Sequence, residues 1–178
     1  DRVFQSISGF SILEEMLRDE EDSQIKRTEF AQPGNLMVQM GLTALLKAEG
    51  ITPAAVVGHS VGEVASAWAS GMLTLEDALL VSYQRSRIQA TTAGKGKMLA
   101  LGVTEAEAAE LIAPYGAKVS LAAINSPTSV TIAGDADSLE CIRVTATERK
   151  LFARALDVAV PYHSPVMEQL KPELRKHL

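Results

Sequence analysis

The chain has a single cysteine among its 178 residues, so Cys141 cannot close a disulfide within it. A reducing compartment, the cytoplasm, is therefore expected. There is no run of roughly 18 apolar residues and no signal-like or basic transit opening, so no membrane association is expected. Basic residues are not in excess. The 17 Lys and Arg stand against 22 Asp and Glu, and a net charge of −5 gives no reason to expect nucleic acid. Internal repeats and low-complexity tracts are absent, and nothing points to a metal or to a cofactor bound by this domain. The remainder is ordinary for a globular protein, with 47% apolar and 22% charged residues. That suffices for one sizeable core or two small lobes. The chain opens at Asp1 without a methionine and stops inside an expected helix, 164–178, so it reads as a piece of a larger polypeptide.

Against this background one segment carries chemistry. Val57-Gly58-His59-Ser60-Val61-Gly62-Glu63 holds a serine between two glycines directly after a short apolar run. In such a G-x-S-x-G turn a strand passes sharply into a helix and leaves the serine hydroxyl exposed. Crowding in the turn predicts a need for glycine on both sides of Ser60. The N–H of Val61 is then placed to meet an oxygen that becomes negative during acyl transfer. Three fixed positions are a weak signature, and their surroundings must decide.

Residues 11–27 read as a short helix followed by the exposed acidic stretch Asp19-Glu20-Glu21-Asp22. A helix is expected from Pro33, with Leu36, Met37, Met40, Ala44 and Ala48 on one face and Gly50 closing it. Residues 54–57 predict a fully apolar strand, buried on both faces of a parallel sheet. The elbow launches an alanine-rich helix ended by Gly71, and Thr74 with Asp77 caps another that runs to about Thr92. Gly94 and Gly96 then break the chain. Beyond them come strands at 98–103, 119–124, 130–133 and 152–160, with helices at 104–113 and 138–150. That βαββαβ order is a ferredoxin-like unit. The expected fold is thus α/β: an α/β-hydrolase-like lobe with a parallel sheet, 1–97 and 161–178, holding a ferredoxin-like insert, 98–160. Cys141, Trp68 and Tyr83 read as packing residues.

A serine nucleophile needs a base, and there are three histidines. His59 adjoins the serine on the same turn, and His177 sits in a charged terminal segment. His163 lies in Val160-Pro161-Tyr162-His163-Ser164-Pro165, a proline-flanked turn between a strand and a helix, where a base belongs. Arg85 and Arg87 fall on the helix after the elbow. Either could fork onto a substrate carboxylate, or both could simply face solvent.

These residues, taken together, resemble the malonyl-CoA:acyl carrier protein acyltransferase family, including the acyltransferase domains of type I polyketide and fatty acid synthases. The likeness rests on Thr28-Glu29-Phe30-Ala31-Gln32-Pro33, the elbow 58–63 and Gly71-x-Leu73-x-Leu75-Glu76-Asp77-Ala78. It continues through Arg85-Ser86-Arg87, Asn125-Ser126-Pro127, Val130-x-Ile132-Ala133-Gly134 and Pro161-Tyr162-His163-Ser164. The resemblance implies Ser60 as acylated nucleophile and His163 as base and later acid. Val61 becomes an oxyanion-hole donor, and Arg85, 25 positions after the serine, the carboxylate anchor. Gln32, His59 and Tyr162 would contact substrate. Tyr162 before the histidine and Val61 after the serine imply malonyl rather than a branched extender.

The implied partners are an acyl-CoA, the phosphopantetheine thiol of an acyl carrier protein and neighbouring domains of a larger synthase. Arg143, Arg149, Lys150 and Arg154 are candidates for docking an acidic carrier. Two family features, a Gly-Gln motif and the carbonyl partner of the histidine, are expected before Asp1 and beyond Leu178. Two other readings remain at this point: a serine hydrolase or thioesterase, which would not depend on Arg85, and a catalytically impaired core that serves as a scaffold.

Overall fold

The computed structural model describes residues 1–178, and the chain divides into two compact units, 1–90 with 174–178 and 91–173. The boundaries expected at 97/98 and 160/161 lie instead at 90/91 and 173/174, so His163 belongs to the second unit. Each unit is described by itself.

The only regular elements in residues 1–90 are helices: α1 (Arg2–Ser8), α2 (Ile12–Met16), α3 (Thr28–Ala48), α4 (Gly62–Ala69) and α5 (Leu75–Ala90). Phe4, Ile12, Leu36, Met40, Val64, Ala78 and Leu79 form their common core. Edge-to-face aromatic pairs extend it, with Phe4–Phe10 at 5.4 Å and Phe10–Phe30 at 5.1 Å between ring centroids. Trp68 and Tyr83 pack against this core, as their placement predicted. The carboxylate of Asp1 caps α2 by accepting from the Ile12 N–H at 3.0 Å and the Ser11 hydroxyl at 2.8 Å. Buried Glu15 ties down the stretch that follows, accepting from the Ser23 hydroxyl and the Gln24 N–H.

Three sequence expectations are corrected in this unit. First, α3 begins at Thr28, so Pro33 lies inside it rather than at its first position. The ring removes one N–H donor, yet Pro33 is buried, so packing of the long helix outweighs the local penalty. Second, residues 54–57 form no strand, and Val57 is 96% exposed. A strand needs neighbours for its N–H and C=O groups, and the chain supplies none to this segment. Third, no parallel sheet is present: the one sheet is antiparallel and lies in the second unit.

That sheet comprises β1 (Lys97–Leu101), β2 (Val119–Ser126), β3 (Ser129–Gly134) and β4 (Ala153–Ala155), in the spatial order β2-β3-β1-β4. The helices α6 (Glu105–Ile112) and α7 (Ala136–Glu148) are its crossovers, and a short α8 (Lys171–His177) ends the chain. Leu99, Leu101, Val130 and Ile132 from the sheet meet Ala108, Leu111, Leu139 and Ile142 from the helices. Here the period-2 and period-3.6 patterns predicted the elements well. The strand expected over 152–160 shrinks to three residues, because only Ala153–Ala155 faces β1. Cys141 is exposed on α7, not part of the core. The helical period places Leu139, Ile142 and Ala146 inward instead.

Both crossover helices start on carboxylate caps. Glu107 closes a capping box with Thr104, and hydrogen bonds from that backbone N–H and hydroxyl hold its carboxyl below the ordinary 4.5. Asp135 accepts from the Ser138 hydroxyl and N–H, which lowers its carboxyl from the ordinary 3.8. A carboxyl depressed in the folded state stabilises above its unfolded value and loses that contribution as pH falls through the folded one. Acidification below the ordinary values should therefore loosen the starts of α6 and α7. Asp135→Asn retains the acceptor without the titration and should flatten the acid limb at α7, read by amide exchange across pH.

Candidate active site

The elbow is a sterically determined turn. Ser60 adopts φ 52°, in the left-handed region that a residue with a Cβ enters at a cost. Two hydrogen bonds close the turn, from Gly62 N–H to His59 O at 2.9 Å and from Glu63 N–H to Ser60 O at 3.1 Å. The intervening N–H of Val61, at the start of α4, donates to no carbonyl. This is the arrangement an oxyanion donor requires: a fixed N–H that the turn itself does not consume.

The two flanking glycines are not equivalent. A Cβ on Gly58 would lie 2.3 Å from the Gly62 carbonyl oxygen, whereas one on Gly62 would meet only Gln39 Nε2 at 3.6 Å. The expectation that both glycines are needed is corrected: only Gly58 is sterically obligatory. His59 is exposed and lines an open hollow of about 550 Å³ with Gln39, Val57, Gly58 and Gly62.

Arg85 and Arg87, equivalent in sequence, are separated by the fold. Arg85, part-buried on α5, reaches across to α3 and donates from Nη1 to Gln32 Oε1 at 2.6 Å. Arg87 lies along its own helix and donates to Gln84 Oε1 at 3.2 and 2.7 Å. Gln32 is 7% exposed, and its Nε2 donates in turn to Gln89 Oε1 at 2.7 Å. The structure thus joins two of the expected residues, Gln32 and Arg85, and adds Gln89, which the motifs did not single out. Its one readable signal was its place four residues beyond Arg85, on the same helical face.

In the second unit His163 is exposed and also left-handed, with φ 57°. Its turn is held from both sides. Ser164 is buried and donates from Oγ to Pro161 O at 2.6 Å, while the Tyr162 N–H donates to Val160 O at 3.0 Å. The Gly94 N–H donates to Ala159 O at 2.8 Å. Buried Pro161 rests against Gly96, where a Cβ would come within 2.9 Å of the ring and 2.5 Å of the Gly134 carbonyl. Gly94 and Gly96, read as chain breaks, thus seat the histidine turn.

Gly96→Ala should displace that turn at an overpacking cost of about 1–3 kcal/mol. A lowered melting temperature together with slower acyl transfer would be the outcome; unchanged values would refute the seating role. Among the basic docking candidates, Arg143 is already engaged by Glu140 at 2.6 Å on its own helix, which raises its pKa.

The family model for the acyl transferase domain matches residues 1–178. The chain belongs to that family. It is 42% identical over 186 residues to the hybrid PKS-NRPS synthetase pynA of Aspergillus niger, covering 100% of this chain and 5% of that protein. To the highly reducing polyketide synthase Preu5 of Preussia isomera it is 44% identical over 167 residues, covering 90% of this chain and 7% of that protein. Among solved structures it is similar to the acyltransferase domain of the polyketide synthase PpsC of Mycobacterium tuberculosis. That match has a TM-score of 0.90 and 33% identity, and covers 99% of this chain and 53% of the other. The malonyl-CoA:ACP transacylase of Synechocystis matches with a TM-score of 0.85 and 28% identity, over 98% of this chain and 58% of the other.

The acyltransferase chain therefore spans a small fraction of these curated relatives and little more than half of these solved ones. It shares their mixed α/β class. None of its helices is long and apolar enough to cross a membrane.

Proposed function

We propose that this chain carries the acylation chemistry of a polyketide synthase acyltransferase, moving a malonyl group from coenzyme A through a serine ester to a carrier-protein thiol. The observation that carries this reading is the elbow. Ser60 is held left-handed beside a Val61 N–H that the turn leaves undonated. A free N–H at that position has no role in closing the turn, but it fits a developing oxyanion.

In this reading His163 removes the Ser60 proton as the hydroxyl attacks the thioester carbon. The negative oxygen of the tetrahedral intermediate is stabilised by the Val61 N–H. Its collapse expels the coenzyme A thiolate, which His163 protonates, and leaves the malonyl ester on Ser60. The carrier's phosphopantetheine thiol, deprotonated by His163, then attacks that ester and regenerates the serine. Arg85 binds the distal carboxylate and Gln32 orients it. Tyr162 limits the room for a 2-methyl branch, and His59 sits at the rim. No bound cofactor enters these steps. The ferredoxin-like character of the second unit, the cytoplasmic setting and the carrier and neighbouring domains belong to the same proposal.

Incubating the full-length protein with malonyl-CoA and measuring intact mass tests it. A malonyl adduct that maps to Ser60 and vanishes in Ser60→Ala supports the reading, and an adduct elsewhere or none refutes it. Equal acylation by methylmalonyl-CoA would defeat the size argument at Tyr162, since one methyl group is worth about 1–3 kcal/mol of discrimination.

A further inference from the structure

Arg85 stands at one end of a polar relay: Arg85 Nη1 to Gln32 Oε1 at 2.6 Å, then Gln32 Nε2 to Gln89 Oε1 at 2.7 Å. A guanidinium has only donors, so Gln32 must turn its carbonyl toward Arg85. That choice sends the Gln32 NH₂ the other way. With the side chain 7% exposed, the NH₂ needs a protein acceptor there. The Gln89 carbonyl is that acceptor. Without it, the buried NH₂ would have no acceptor to hold the amide in place, and the flipped alternative would set donor against donor at Arg85. The acceptor at 89 thus selects the amide orientation at 32, which in turn fixes the guanidinium.

We propose that Gln89 is a positioning residue for the carboxylate anchor, acting through Gln32 to hold Arg85 in the direction that meets a dicarboxylic acyl group. The inference rests on reading Arg85 as that anchor. Arg85 and Gln89 lie on one face of α5 and Gln32 on α3, so the relay pins two helices at the anchoring point. The relay consists of neutral amides and orients the guanidinium without cancelling its charge. An aspartate or glutamate in the place of Gln32 would orient it equally well and neutralise it.

The test is Ser60 self-acylation in the full-length protein, measured with malonyl-CoA and with acetyl-CoA. The wild type is compared with Gln89→Met, Gln32→Leu, the double variant and Arg85→Ala. Gln89→Met should lower the malonyl-over-acetyl ratio of kcat/KM about tenfold, mainly through the malonyl KM, with the acetyl rate retained. If Gln89 acts through Gln32, the double variant should match Gln32→Leu alone. A ratio changed by less than about twofold, or two effects that multiply, overturns the relay. Proportional loss with both acyl groups means a purely structural role and also overturns it. If Arg85→Ala leaves the preference intact, the anchor reading itself has failed. If Arg85→Ala removes the preference while Gln89→Met keeps it, only the relay has failed.

Discussion

Gly58→Ala is expected to abolish nearly all acylation of Ser60, while Gly62→Ala leaves it close to the wild-type rate. At position 58 the new methyl would lie 2.3 Å from the Gly62 oxygen, 2.6 Å from the Gly62 carbonyl carbon and 2.7 Å from Glu63 Cα. These are backbone atoms in the first turn of α4, so no side-chain rotation relieves the clash and the turn must open. Opening it moves Ser60 Oγ and the Val61 N–H together. A misplacement of about 1 Å in such a constellation costs on the order of 10²-fold in rate. At position 62 the nearest atom is the end of the Gln39 side chain at 3.6 Å, an ordinary contact. Intact-mass kinetics on both variants distinguish the two positions, and equal behaviour would defeat the steric account.

Arg85→Ala is expected to cut malonyl acylation by about 10²-fold while sparing acetyl transfer, because the loss of one partner of a desolvated charge pair costs several kcal/mol. Arg87→Ala should change either rate by only a few-fold. The difference follows from direction. Arg85 crosses to Gln32 on a neighbouring helix, and Arg87 folds back onto Gln84 one turn away. A hydrolase acting on uncharged thioesters would lose nothing with Arg85→Ala, so the same pair of variants separates that reading from the proposed one.

Much of the second unit was legible because its local signals agree with its packing. Alternating residues face the helices across the sheet, Thr104 caps α6, and the turn at Pro127 joins two paired strands. The first unit was less transparent. Residues 54–57 have the composition of a buried strand, but a strand exists only through its neighbours, and the chain offers that segment none. Pro33 carries a strong local signal for a helix start, yet the buried face of α3 carries the helix past it. Cys141 looks like a core residue by type, and the phase of α7 turns it outward.

The sequence by itself determined the glycine-flanked serine elbow as a pattern, the candidate histidine on its rigid turn and the βαββαβ order. Each is written in residue types at short spacing: glycine beside serine, proline beside histidine, apolar residues at periods of 2 and 3.6. Only the tertiary structure decided which glycine the elbow cannot lose, which arginine turns inward and what orients it. Those answers depend on atoms from distant segments. The Gly58 clash arises where α4 folds back over the turn, and the Arg85–Gln32–Gln89 relay exists because α3 lies against α5. A linear pattern records which donors and acceptors a chain carries, and packing decides which of them meet.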